Sequence, residues 1–441
     1  MNEASIDEPD APSPRLAWPF MVGLGGLIGL LVGGLAAVFR LVVDALVTQR
    51  ESLFEALAPM AVLGWLGPVL LVGLSLLAAA ELVRRFAPEA GGSGIHEIEG
   101  ALEDERRIRW RRVLPVKFLG ATLALGSGAV LGREGPTVHM GGALGAMVSE
   151  RFRLTAQNRH ILVAAGAAAG LAAAFNAPIA GILFVFEEMR RRFRFHFASM
   201  EAVLVAAAVA DLVVRLVTGQ GPVIQMLDFP ESPLGALWVF PLFGALFGGF
   251  GVAFNGLLIG TLDGIDRLPA VAHRLAPFVI GAGLGALGYW LPDAVGGGYG
   301  TIGDALTGRI AGAVLLSFFA IRFAATLLSY GSGAPGGIFA PMLALGTLFG
   351  MWFGAHAHDL APELVPHAGI FALAGMAAFF AATVRAPMTG IALAVEMTGN
   401  FDQILPLIFT CVGAGLAAQA LGGRPIYASL LERTQRISRN E

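Results

Sequence analysis

Apolar residues come in long blocks along this chain, and several of the blocks are cut by glycine and proline. They run from about Trp18 to Phe39, Met60 to Ala80, Val113 to Leu131, Ile161 to Phe186, Ala202 to Val217 and Leu234 to Ile259. The series continues from Pro277 to Leu291, Ala311 to Leu328, Gly337 to Gly354, Ile370 to Val395 and Ile404 to Leu421. A helix needs ~20 apolar residues to cross ~30 Å of hydrocarbon. Blocks shorter than that, or broken, predict helices that stop midway, and non-helical backbone at that depth survives only buried in protein or lining a cavity. Composition points the same way: of 441 residues 56% are hydrophobic and 14% charged, with 60 glycines and a mean hydropathy of +0.72. The chain reads as an all-α polytopic membrane protein, not a soluble domain.

Charge then orients it. The net charge of -3 adds nothing, and the single Cys411 excludes a disulfide framework within the chain. Met1 to Arg15 is polar and acidic and lacks the basic start of a signal peptide. Clustered arginines at Arg106 to Arg112, Arg190 to Arg194 and Arg433 to Arg439 read as cytoplasmic, which puts both termini on that side.

The glycines and prolines repeat. Gly126-Ser127-Gly128-Ala129 aligns with Gly331-Ser332-Gly333-Ala334, and at the same offset Gly132 matches Gly337, Pro136 matches Pro341, Gly141 matches Gly346 and Gly145 matches Gly350. A second block, Gly166 through Gly181 ending Asn176-Ala177-Pro178-Ile179-Ala180-Gly181, parallels Gly375 through Gly390 ending Arg385-Ala386-Pro387-Met388-Thr389-Gly390. Two blocks in one order indicate a duplicated fold with its working site where the halves meet. The expected division is a first half at about 16–220 and a second at about 234–432, with short cytoplasmic tails at 1–15 and 433–441 and no C-terminal regulatory domain. Small-xxx-small pairs such as Gly166/Gly170 and Gly346/Gly350 suit close helix packing.

Ionisable residues inside such blocks are costly and mark function. Glu134, within Gly132-Arg133-Glu134-Gly135-Pro136, is the charged copy of the repeated frame; its structural alternatives are an ion pair with Arg133 or an acid at a helix N-terminus. Glu187 and Glu188 end an apolar helix, where salt bridges to Arg191 and Arg192 are the structural reading. Ser93 follows Gly91-Gly92 and is a candidate helix cap or anion donor. Lys117, the only lysine, is expected to add positive potential to a permeation route, with snorkelling as the alternative and Glu99 as a partner. Glu396, the repeat counterpart of Glu187, is expected to satisfy helix ends, and Tyr427 alone would read as an interfacial anchor.

Gly92-Ser93-Gly94-Ile95, Gly132-Arg133-Glu134-Gly135-Pro136, Gly337-Ile338-Phe339-Ala340-Pro341 and the late Tyr427 resemble the four signature elements of the CLC family of chloride channels and transporters. The likeness covers about Trp18 to Glu432, and Gly91 to Asp104 and Ala172 to Met189 look most like bacterial chloride/proton exchangers. The resemblance implies a two-fold inverted repeat of tilted, broken and partial helices whose N-termini converge on anions near mid-membrane. It implies that Ser93 and Tyr427 donate to chloride through their side chains, Ile338 and Phe339 through backbone N–H, with Gly135 at the same site. Gly92, Gly94, Gly132, Arg133, Pro136, Gly337 and Pro341 would then shape the pathway that Lys117 helps to polarise. Glu134 becomes the gating and proton-exchanging acid, Glu188 the internal proton-transfer acid, and Glu187 a lining of its water access. One departure stands out: where the family's first element continues with proline, this chain has His96, a possible modifier of anion affinity and pH response.

Three classes follow. The leading expectation is a secondary active antiporter exchanging chloride for protons, a homodimer with one pathway per subunit in the lipid bilayer of a bacterial inner membrane. It would need no cofactor, metal or nucleic acid. A passive, proton-gated channel of the same family is the alternative, and Glu188 is the feature that tips the reading to exchange. A membrane-embedded enzyme is the distant third, since the histidines form no His-Glu-x-x-His or comparable set.

Overall fold

The computed structural model describes residues 18–189, 197–226, 229 and 231–440. The polar segment at 1–15 and the arginines at 190–194, with the salt bridges expected of Arg191 and Arg192, lie outside the described residues. The first half holds α1 (Trp18–Leu57), α2 (Leu63–Phe86), α3 (Ile95–Leu102), α4 (Trp110–Ser127), α5 (Glu134–Arg151), α6 (Ala156–Phe175), α7 (Pro178–Glu188) and α8 (Phe197–Thr218). The second holds α9 (Val239–Asp266), α10 (Ala270–Trp290), α11 (Tyr299–Leu306), α12 (Val314–Gly331), α13 (Phe339–Leu360), α14 (Gly369–Val384), α15 (Pro387–Thr398) and α16 (Ile404–Ala420), followed by α17 (Ile426–Asn440). Residues 433–440, expected as a tail, are the last turns of α17, where Arg433 pairs with Asp263 at 2.8 Å.

The helices correspond in order. α1 packs on α8 as α9 packs on α16, and α5 on α6 as α13 on α14, while α2 meets its counterpart α10 across the molecule. Equivalent positions carry equivalent backbone: α3 and α11 both start behind a left-handed glycine, Gly94 (φ 78) and Gly298 (φ 108). Two of the three longest apolar blocks, Ile161 to Phe186 and Ile370 to Val395, each break in two. Asn176 and Arg385 take left-handed conformations (φ 52 and 70) that end α6 and α14, and Pro178 and Pro387 then begin α7 and α15. Proline lacks an N–H and fits the first helical turn, so each block is cut where the chain must start a new helix. The expected close packing is present in both halves: a Cβ on Gly166 would stand 2.1 Å from the Gly141 carbonyl oxygen, and one on Gly375 2.2 Å from that of Gly346.

The halves run in opposite senses, so the repeat is inverted. Gly132 and Gly337 exchange N–H to C=O hydrogen bonds of 2.7 Å in both directions, an antiparallel contact between equivalent residues. α7 and α15 also lie antiparallel, each capped by the acid at the other's C-terminal end. The Glu187 carboxylate accepts from the Met388 and Thr389 N–H groups at 2.9 and 2.7 Å, and from the Thr389 hydroxyl at 2.6 Å. The Glu396 carboxylate accepts from Ile179 and Ala180 at 3.1 and 2.8 Å. Both acids thus neutralise the positive end of a short helix.

Among the described residues six helices are long and apolar enough to cross a membrane. α3, α7, α11 and α15, of 8, 11, 8 and 12 residues, are too short and stop partway. This is an integral membrane protein. Its helix boundaries differ from the apolar blocks: α1 continues past Phe39 to Leu57, and α10 begins at Ala270, before Pro277.

Candidate functional site

Four helix N-termini meet in the interior. Ile95, Glu134, Phe339 and Ile426, the first residues of α3, α5, α13 and α17, are fully buried. A Cβ on Gly135 would stand 2.9 Å from the Ser93 Cα and 3.0 Å from the Gly337 Cα, and the rings of Phe339 and Tyr427 are 5.9 Å apart. The first N–H groups of a helix find no carbonyl within it. The convergence therefore gathers unpartnered donors and positive dipole ends at one place, which suits a small anion. Pro136 and Pro341 stand third in α5 and α13, where an N–H would lack a partner. Ile338 precedes α13 as its cap residue and is buried beside Phe339, whose ring also packs on Phe380 at 4.7 Å and Phe184 at 5.7 Å.

Ser93 is buried, and its hydroxyl oxygen accepts from the Ile95 N–H at 3.4 Å and from the Tyr330 hydroxyl at 3.5 Å. The Ser93 N–H in turn donates to the Tyr330 hydroxyl at 3.3 Å. A serine hydroxyl has two acceptor sites and one donor, so the two long bonds use its oxygen and leave its proton to give. Ser93 thus serves the start of α3 and keeps a donor for an anion; the two sequence readings are compatible. Gly94 has no room for a side chain: a Cβ would fall 2.0 Å from the His139 Nδ1.

Glu134 is fully buried at the first position of α5. Its Oε1 accepts from the Tyr299 hydroxyl at 2.7 Å, and its Oε2 turns back toward Gly132, where a Cβ would stand 2.0 Å from it. An ion pair with Arg133 is not formed: the Arg133 guanidinium lies 4.9 Å from the Tyr299 ring centroid and 3.7 Å from the Asp44 carboxylate. The helix-terminal alternative matches its position, since the acid stands at the positive end of α5.

Tyr427 is fully buried, with a hydroxyl that finds no hydrogen-bond partner among the described residues. It lies within electrostatic reach of Glu134, Glu188, Glu99 and Tyr330. Glu188 ends α7 half-buried, while Glu187 beside it is engaged at the start of α15.

Lys117 does not snorkel. It is fully buried, and its Nζ donates to the carbonyls of Ala90 at 3.1 Å and Gly92 at 2.7 Å, because a charge this deep must be solvated by the backbone that surrounds it. Its hydrogen bonds go to the loop before Ser93, and the Gly92 carbonyl also accepts from Gly336 at 2.9 Å. Lys117 thus braces the loop that carries Ser93. His96 is buried, with Nε2 3.8 Å from Glu97. Glu97 is held by Arg106 through two 2.9 Å bonds, and that pairing raises the Arg106 guanidinium above its usual value.

Two cavities approach this centre. One, of about 480 Å³, reaches Gly92, His96 and Tyr330 and includes His273 near the start of α10. The other, of about 280 Å³, reaches Gly132, Arg133 and Tyr299 and includes Pro292, just beyond the end of α10. α10 is 21 residues long and apolar, about 30 Å at 1.5 Å per residue. The cavities therefore lie at opposite ends of a membrane-crossing helix, with Ser93, Glu134 and Tyr427 buried between them.

Sequence reasoning missed Tyr299, Tyr330, His139 and Arg322. One signal was there to find: Gly296-Gly297-Gly298-Tyr299 is the second-half counterpart of Gly92-Ser93-Gly94-Ile95, with positive φ at Gly296 (φ 76) and Gly298 as at Gly92 (φ 53) and Gly94.

Comparison with known proteins agrees with the geometry. The family model described as "Voltage gated chloride channel" matches residues 74–419. The chain is 50% identical over 425 residues to the H(+)/Cl(-) exchange transporter ClcA of Vibrio parahaemolyticus serotype O3:K6, covering 95% of this chain and 91% of that protein. It is 48% identical over 415 residues to the protein of the same name from Salmonella paratyphi A, covering 93% and 88%. The crystal structure of a slow cyanobacterial Cl-/H+ antiporter superposes with a TM-score of 0.92 at 42% identity, over 95% of this chain and 99% of that one. This chain belongs to the voltage gated chloride channel, or CLC, family.

Proposed function

We propose that this protein exchanges chloride for protons across the membrane, with Glu134 as the group that both ions use. The observation that carries the reading is a buried acid at converging helix N-termini, between cavities that open at the two ends of α10. Relatives half identical over nearly the whole chain are named as exchange transporters, which favours exchange over passive conduction.

The site uses backbone where a lysine would hold too tightly. A full charge ~4 Å from chloride contributes about 4 kcal/mol at an effective dielectric near 20, and a helix end with about half a charge contributes half of that. An ion that must leave as well as enter is served by the weaker hold. In this reading chloride sits against the Ser93 and Tyr427 hydroxyls, the N–H groups of Ile338 and Phe339, and the α5 terminus at Gly135. The charged Glu134 carboxylate competes for the same donors. A proton neutralises it and releases the site to the anion. Glu188 passes protons between Glu134 and the opposite side, and Glu187 steadies α15 next to that route. His96 lines the cavity that holds Arg84, Arg106, Arg109 and Arg433, and by the positive-inside rule this is the cytoplasmic mouth. We assign the protein to a bacterial inner membrane as a homodimer with one pathway per subunit.

The test is a liposome assay that follows chloride and pH together. A chloride gradient should drive protons uphill in the parent. Glu134→Ala should keep anion flux and lose coupling, and Glu188→Gln should do the same. Full coupling in either variant contradicts the role given to that residue, and anion flux with no proton movement in the parent makes the protein a channel.

A further inference from the structure

The side chain that hydrogen-bonds Glu134 is Tyr299, at 2.7 Å. We propose that Tyr299 is a positioning residue for the gate: its phenol holds the charged Glu134 carboxylate in the closed position and thereby sets the pH at which chloride passes. This rests on the reading of Glu134 given above.

The phenol is held in place from three sides. It begins α11 directly after Gly298, where any Cβ would stand 2.8 Å from the Ala344 Cβ and 2.9 Å from an Arg322 nitrogen. Arg322 is fully buried and has no acidic partner among the described residues. It donates instead to the carbonyls of Asp293 (3.2 Å), Val295 (3.1 Å) and Gly296 (2.9 Å) and to the Thr301 hydroxyl (3.0 Å). Burying a full charge against carbonyls is costly, and what this one fixes is the loop that presents Tyr299. From the other side the Arg133 guanidinium lies 4.9 Å from the ring centroid.

The pseudo-symmetry isolates the hydroxyl as the feature to explain. The equivalent residue in the first half is Ile95, which begins α3 after its own left-handed glycine with a wholly apolar side chain. An aliphatic residue therefore suffices to start such a helix, and the second half has a phenol where the chain faces the acid. The ring is half-buried and lines the 280 Å³ cavity, so the bond can be exchanged for water when the carboxylate moves.

The charged and titratable groups facing this pair are Arg133 at the α5 terminus, Arg40 and Asp44 on α1, Arg322 on α12 and, from the interior, Tyr427 on α17. α13 contributes Ala340, which does not titrate. A phenol donating to a carboxylate favours its charged form. Removing that donor makes protonation easier, so the gate opens at higher pH.

Tyr299→Phe keeps the ring beside Arg133 and removes only the oxygen. In liposomes its chloride flux against pH should be displaced toward neutral by about one pH unit, a tenfold change in proton demand, with exchange still coupled. Tyr299→Leu should displace the profile the same way and serves if the first variant fails to fold. Profiles superimposable on the parent's, or displaced toward acid, overturn the proposal. In a Glu134→Gln background Tyr299→Phe should leave anion flux unchanged, and a flux change there shows that Tyr299 acts through something else. If Glu134→Gln alone keeps full proton coupling, the role of Glu134 fails; if it uncouples while Tyr299→Phe leaves the profile in place, only the positioning role fails.

Discussion

A chloride ion reaching Ser93 meets a hydroxyl whose oxygen is already bonded by Ile95 and Tyr330 and whose proton is free to donate. Ser93→Ala should therefore weaken chloride binding about tenfold, the order of one hydrogen bond to a charged group, as measured by calorimetric titration of the purified protein. His96 lines the 480 Å³ cavity beside Glu97, and His96→Pro should change the chloride isotherm between two pH values; superimposable isotherms make His96 passive. Individual residues were legible in the sequence to different degrees. Glu134 stood out as the one acid in a repeated Gly-Pro frame, whereas Ser93 and Tyr427 gained their meaning from motif resemblance and alone would read as a cap and an interfacial anchor. Tyr299 did not stand out, because its partner lies 165 positions away and a tyrosine beside a glycine run carries no sign of what its hydroxyl meets. Lys117 was conspicuous, yet its partners are backbone carbonyls, which every residue has and no pattern reveals.

The short helices owe their stability to features outside themselves. Alone, an 11-residue or 12-residue helix is marginal, and α7 and α15 are each secured by a carboxylate from the other. Glu187→Gln and Glu396→Gln should each lower stability by about 1 to 2 kcal/mol, the range for a charged cap lost to a neutral one. The two acids stand at opposite ends of the helix pair, so the double variant should show losses that add to within about 0.5 kcal/mol in detergent unfolding. Gly94 tests the start of α3: its left-handed backbone alone costs any other residue about 1 to 2 kcal/mol, and the imidazole of His139 fills the space a methyl would take. Gly94→Ala should displace Ser93 and lower chloride affinity more than Ser93→Ala does. Glycine and proline made these elements readable, because a position that admits only one residue type writes itself into the chain. The breaks at Asn176 and Arg385 were marked only by one polar residue and a proline two positions on, and each depends on a single left-handed residue.

The whole molecule is two copies of one eight-helix plan facing opposite ways, and the difference between the copies is where its chemistry lies. Glu134 has the uncharged Phe339 as its counterpart, and Ile95 has Tyr299 as its opposite number. The duplication was legible from the Gly-Pro frames; its inverted sense was not, because broken helices defeat a count of crossings, and it rests on antiparallel contacts such as Gly132 with Gly337. That last contact limits how the protein works. Two buried backbone bonds of 2.7 Å tie the copies together beside the site, and parting them would strand four polar groups at about 1 to 3 kcal/mol each. The proposed exchange is therefore expected to proceed through a swing of the Glu134 carboxylate, a few ångströms long, with the two copies staying joined beside it.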